Sequence, residues 1–232
     1  MKKISKKMKD ISSKIDKEKN YNLDEAIDLI KNSPAAKFEE TLDIAINLSL
    51  NAGKTDQSVR GVINLPHGTG KNIRIAVVAK DENASKARES GADIVGDTDF
   101  IKSIESGEIN FDRLIATPDM MPQLAKIGQI LGPKGLMPNP KLGTVTNDVS
   151  KAIKDAKKGQ VQFKNDKSGI IHAGVGKLSF DKEKLRDNIK TFFEAILKNK
   201  PEGIKGSYVK RVSIASTMGI GIKLNVADLQ KN

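Results

Sequence analysis

Few residues of this 232-residue chain could do covalent chemistry. There is no cysteine, which excludes disulfides, thiolate nucleophiles and sulfur-ligated zinc, and His67 and His172 are the two imidazoles. His67, in a Pro-His-Gly turn, has no Ser, Cys or Asp around it in a catalytic frame and reads as a hinge or surface residue. His172 falls within a strand, either as a satisfied, partly buried polar residue or as a hydrogen-bond donor to a nucleic-acid backbone. Two stretches imitate phosphate loops, Gly68-Thr-Gly70-Lys71 and Gly174-Val-Gly176-Lys177. The phosphate loop needs a glycine five positions before its Gly-Lys pair, and Leu65 and Ile171 stand there. Asp119 follows a strand end, where α/β enzymes keep their sites, but one carboxylate makes no reaction and it reads as a helix cap. Neither an enzyme nor a cofactor or metal site is expected.

Binding is better served than catalysis. Gly128–Asn147, GQILGPKGLMPNPKLGTVTN, holds four glycines, three prolines and two lysines, too much Gly and Pro for a helix or a central strand. It is expected to be a loop throughout. Pro133, Pro138 and Pro140 should stiffen it and push Gly132, Met137 and Asn139 towards extended backbone. Lys134 and Lys141, with Asn139 between them, then form a fixed cationic group suited to a polyanion. Near the other end, Ser216-Thr217-Met218-Gly219 offers hydroxyls, backbone amides and a soft apolar side chain, a set that fits a groove edge carrying 2′-hydroxyls and phosphates.

The charge supports an acidic partner. Net charge is +11 and pI about 9.6, with Lys and Arg outnumbering Asp and Glu 14 to 7 over residues 159–232. Residues 126–158 carry 7 basic against 2 acidic side chains, in contrast to the net acidic stretch before them. Aromatics are 4% with no tryptophan, too few for a platform on which single-stranded bases stack. A folded, double-helical nucleic acid read through phosphates and shape fits better. No run of residues is long and apolar enough for a membrane span, so no membrane partner is expected and the cytoplasm is the expected location.

The positioning elements follow from periodicity. Residues 1–20 carry eight lysines, with Ile4, Met8, Ile11 and Ile15 at helical spacing, a basic helix laid on the body. A helix is expected over Leu23–Lys31, stopped by Ser33-Pro34, then a half-buried strand in which Leu42, Ile44, Ile46, Leu48 and Leu50 alternate with polar or small residues. A second strand runs from Val59 to Leu65. From Ile73 onward strands (73–79, 93–95, 113–116) alternate with helices (83–90, from Asp97 or Thr98, and 120–127). After the loop, Thr146 or Asn147 should cap a helix burying Val149, Ile153 and Ala156. Strands at 160–164 and 170–175, a long helix with Leu185, Ile189, Phe192, Phe193, Ile196 and Leu197 on one face, and strands at 208–215 and 222–226 complete the chain. Neither end can make a comfortable core alone, so the two should pair. The expected organisation is one domain of residues 1–68 plus 159–232 with residues 69–158 inserted, the crossings hinged at Pro66, His67, Gly68 and Gly159. The alternative is a nucleotide or phosphosugar enzyme using the strand ends at Ala79, Val95 and Thr117, and it lacks the phosphate motifs.

Taken in order, several stretches resemble one family: Lys37-Phe38-Glu39-Glu40-Thr41, Val59-Arg60-Gly61, Leu65 to Lys71, Gly91-Ala92-Asp93, Ala116 to Met121, the Gly128–Asn147 loop and Ser216 to Gly219. Together they look like the large-subunit ribosomal protein of the L-one family, bacterial type, over about Tyr21 to Leu229. The resemblance implies an α+β, split βαβ-like domain built from both chain ends and an inserted three-layer, Rossmann-like α/β domain. It implies a protein, monomeric when free, that binds the large-subunit rRNA stalk and assists release of exit-site tRNA. Repression of translation of its own operon mRNA is implied as well. Main RNA contacts carried over by position are Lys37, Phe38, Glu40, Thr41, Lys164, Lys167, Ser168, His172, Ser216, Thr217, Met218 and Gly219. Gly132, Lys134, Met137, Asn139 and Lys141 would give an accessory contact. Ile220 departs from the family's usual proline after Met-Gly, and Met121-Pro122-Gln123 from its usual run before the loop.

Overall fold

The computed structural model describes residues 6–13, 15–16, 18–33, 36–50, 59–201, 204 and 206–230. Two expected features, Ile4 in the basic arm and Pro34 as a helix stop, fall outside them. The elements in the first part are α1 (Lys6–Ser13), α2 (Leu23–Lys31), β1 (Thr41–Leu48) and β2 (Arg60–Asn64). Next come β3 (Ile75–Val78), α3 (Asp81–Glu89), β4 (Ile94–Gly96), α4 (Thr98–Glu105), β5 (Arg113–Ala116), α5 (Met121–Lys126), α6 (Gly128–Leu131) and α7 (Val149–Lys157). The last are β6 (Gln160–Lys164), β7 (Ile170–Lys177), α8 (Lys182–Lys198), β8 (Val209–Ser216), β9 (Ile222–Leu224) and α9 (Val226–Gln230). The chain is thus mixed α/β, and it divides into two compact units: Met1–Gly70 with Val161–Asn232, and Lys71–Gln160.

In the first unit the two chain ends share one antiparallel sheet of order β7-β1-β8-β9. The two-residue alternation of β1 decides its faces. Leu42, Ile44, Ile46 and Leu48 point inward with Ile171, Val175, Val212 and Ile214, where they meet Ile27 of α2 and Leu185, Ile189, Phe192 and Phe193 of α8. Burying each such side chain contributes about 2 kcal/mol. Ile11 of α1 and Ile15 just after it pack on the same core.

The second unit is a parallel sheet of order β4-β3-β5. All of Ile75–Val78 is buried, as expected of a strand covered on both faces. Ala76, Val78 and Leu114 pack with Ile104, Leu124 and Leu131 on one side, while Ile75, Val77 and Ile115 pack with Ala87, Val149 and Ile153 on the other.

Several local expectations are corrected. Gly128–Leu131 is a short helix rather than loop, because no proline interrupts it before Pro133 and Leu131 is drawn fully into the core. Gly132 keeps helical backbone, φ −59° and ψ −55°: with no Cβ it escapes most of the clash that proline imposes on its predecessor. The cap of α7 is Asp148, whose carboxylate accepts from Lys151 N at 3.1 Å, while Thr146 Oγ1 accepts from Asp148 N. Asp119 caps nothing; it lies inside the 3-10 turn Pro118–Met120, whose preceding residue is Thr117. The helix α9 had no expected counterpart, since five residues give too short a period to read.

Candidate nucleic-acid interface

The core-facing side of the four-stranded sheet is covered by α2 and α8, and among the described residues no helix packs on its other side. The register aligns Gly174, Asp43 and Ala215 in one row across β7, β1 and β8, and His172, Ala45 and Ser213 in the next. Asn47 and Arg211 follow, and Lys223 of β9 stands beside Ser213. The first two rows floor a shallow concavity of about 540 Å³. Small side chains keep the backbone accessible, which suits a ligand that is itself broad and polar. His172 is exposed here, which removes the reading of it as a partly buried core histidine.

One end of the face is a corner tied across 176 residues of sequence. Thr41 N donates to Thr217 Oγ1 at 3.0 Å, and Thr217 N and Oγ1 both donate to Thr41 O, at 3.1 and 3.3 Å. The Glu40 carboxylate accepts from Ala36 N at 2.6 Å and from Met218 N at 3.3 Å. A charged acceptor with two backbone donors is a strong tie. Gly219 N closes the turn on Ser216 O, and a Cβ on Gly219 would overlap Ser216 Oγ. With the backbone so held, Phe38 and Met218 project 57% and 58% exposed, the exposed large hydrophobics among the described residues. Lys37 and Thr217 are exposed beside them.

Of the expected contacts at the corner, Glu40, Thr41 and Ser216 are buried, and each satisfies or supports backbone groups of the joint.

The other end is the turn Asn165–Gly169 between β6 and β7. Since Ile170 pairs with Asn47 and Lys177 with Thr41, the length of β1, about 20 Å at ~3.4 Å per residue, separates it from the corner. Asp166 Oδ1 accepts from Ser168 N and Ile170 N, both at 2.8 Å. The Ile170 N–H is the main cause holding this carboxyl below its ordinary range; desolvation opposes it, and Ser168, His172 and Gly169 help. Gly169 takes φ +77°, a conformation that needs glycine. Lys164, Lys167 and Ser168 are all exposed.

The structure places the second candidate group in the Lys71–Gln160 unit. Gly132, Lys134 and Lys141 are exposed, and Met137 is half-buried against the local core. Asn139 is extended, as its following proline requires; its side-chain Oδ1 accepts from Lys141 N at 2.9 Å, and its backbone N donates to Thr144 Oγ1 at 2.8 Å. Of the expected hinge residues, Pro66 and His67 are exposed and Gly68 is half-buried. The buried Asn188 of α8 holds their turn, its Oδ1 accepting from His67 N and its Nδ2 donating to Gly68 O and Val175 O. His67 Nε2 lies 3.2 Å from Asp187. Gly159 is buried at φ +92°.

A family model described as the ribosomal protein L1p/L10e family matches residues 29–220, most of the chain and every strand of the face but β9. The chain belongs to that family. Membership makes it a large-subunit ribosomal protein that binds rRNA, structural rather than enzymatic, and associated with the ribosome. No described helix is long and apolar enough to cross a membrane. Within the family match, Asp43, Asn47, Ser213 and Arg211 are face residues that sequence reading passed over, and Lys223 lies just beyond it. The alternation of β1 was the available signal, but an outward row of small and polar residues looks the same on any solvated sheet.

Proposed function

We propose that the open sheet face is the surface on which this ribosomal protein grips the folded rRNA of the large-subunit stalk. The observation that carries this reading is the exposed sheet of small and polar residues bounded at both ends by exposed side chains, Lys37, Phe38, Thr217 and Met218 at the corner and Lys164, Lys167, Ser168 and His172 towards the turn. Thr217, Ser168 and the backbone amides suit ribose hydroxyls and phosphates, while Phe38 and Met218 can cover a ribose or base edge. In this reading the two-ended unit is a split βαβ-like RNA-binding domain, residues 1–68 plus 159–232. Residues 69–158 are an inserted three-layer, Rossmann-like domain with crossings at Pro66–Gly68 and Gly159. Lys134 and Lys141 add an accessory backbone contact. The protein works in the cytoplasm as part of the stalk, assists departure of exit-site tRNA, and represses its own operon mRNA when that message presents a similar fold; free of RNA it is a monomer.

Amide hydrogen exchange of the full chain with and without a stalk rRNA fragment tests the site. Protection is expected along residues 41–47, 168–174 and 211–219. Protection confined to 128–147 would refute the assignment of the main surface. Competition by a leader fragment of the operon mRNA tests the repressor role, and indifference to it would remove that role alone.

A further inference from the structure

Arg113 opens β5 and is 91% buried, that is, 9% exposed. Its Nη1 donates to Gln160 Oε1 at 2.6 Å and its Nη2 to Gln160 O at 2.8 Å. Both acceptors are neutral. Among the described residues no carboxylate lies within ion-pair distance, and the guanidinium's pKa is lowered by burial, with no anionic neighbour to offset it. A guanidinium does not discharge at neutral pH, so it sits as an uncompensated buried cation with three further N–H groups.

It lines a cavity of about 280 Å³ between α7 and Gly143–Thr146, floored by Ile115. Ala152 and Ala156, one helical turn apart on α7, leave this room because their side chains are short. At ~30 Å³ per water it could hold on the order of nine waters or one small organic molecule. Two more charged groups on α7 line it, Lys151 and the half-buried Asp155, and neither makes an ion pair among the described residues. A fourth, Asp148, is committed to capping the helix. A cavity with two cations and two carboxylates disfavours a phosphate dianion and suits a ligand with one charge of each sign.

We propose that this cavity binds a small zwitterion of the amino-acid class, its carboxylate on Arg113 and its ammonium on Asp155. The site lies wholly within Lys71–Gln160 and is independent of the sheet face. Amide and arginine-side-chain NMR spectra of the ¹⁵N-labelled full chain, titrated at constant ionic strength with glycine, sodium acetate and inorganic phosphate, provide the test. Glycine should give saturable shifts centred on Arg113 and residues 143–146, about threefold tighter than acetate. Asp155→Asn, a change at a half-exposed helix position, should bring the two ligands level, and Arg113→Gln should abolish both. Shifts that fail to saturate or scatter over surface lysines would overturn the proposal. So would tighter binding by phosphate, or a glycine preference that survives Asp155→Asn.

Discussion

The corner at Thr41 and Thr217 and the Gly/Pro loop of residues 128–147 are both rigid, and they are rigid for opposite reasons. The loop is closed by its own neighbours: Asn139 and Thr144, five residues apart, bond each other three times, and Lys141 is tied two residues back. Proline supplies the rest. The corner is closed differently. Beyond the local bonds at Glu40 and Gly219, its ties join residues 176 and 178 positions apart, so it is complete only once β1 and β8 lie side by side. A locally determined loop can present a charge, but a joint between distant strands can present a shaped surface in fixed register, and only the second can recognise a nucleic acid by shape.

That contrast can be broken by mutation. The largest effect is expected from Thr217→Val with Met218→Ala, which removes the hydroxyl bridging Thr41 and the exposed thioether. Affinity for a stalk rRNA fragment in filter binding at fixed salt should fall about 30-fold, ~2 kcal/mol. A smaller fall than the loop lysines give would reverse the ranking of the two regions. Glu40→Gln places an NH2 where one backbone donor needs an acceptor. The urea midpoint should report a loss of about 1–3 kcal/mol, with affinity falling about tenfold although Glu40 is buried. Lys164→Ala and Lys167→Ala should each cost a few-fold and each reduce the slope of log affinity against log salt by about 1. Lys134→Ala with Lys141→Ala should cost less than about threefold and leave the urea midpoint unchanged.

The smallest effect concerns pH. Asp166 has a folded pKa below its unfolded value, so its stabilisation is present above the ordinary carboxylate range and is lost as pH falls through the folded value. The protection of the Ser168 and Ile170 amides, taken relative to intrinsic exchange at each pH, should therefore fall as pH drops below the ordinary carboxylate range. Asp166→Asn should exchange faster at neutral pH and show no acid step. An unchanged acid step would mean that another group holds the turn.

Much of the fold was legible in the chain because periodicity is a local property. The bounds of α2, β5 and β6 and the buried face of α8 follow from residue spacing alone. The short helix at Gly128–Leu131 did not, since composition averaged over twenty residues hides four that can coil. At the candidate site, sequence fixed which residue types were on offer and could not sort them by depth. Phe38 and Glu40, two positions apart in one motif, ended on opposite sides of the surface. The phenyl ring stays 57% exposed, while the carboxylate is drawn in by the amides of Ala36 and Met218, one of which comes from the far end of the chain.

Composition, charge and spacing by themselves determined that the chain has no thiol chemistry, favours an acidic partner and alternates strands with helices, because each of these is set within a window of a few residues or by a simple count. Which side of β1 faces outward into an open surface, which polar groups are spent holding it and which remain for a ligand were decided only when the two ends paired. Those outcomes depend on hydrogen bonds and burial between residues that the chain does not bring near one another until it folds.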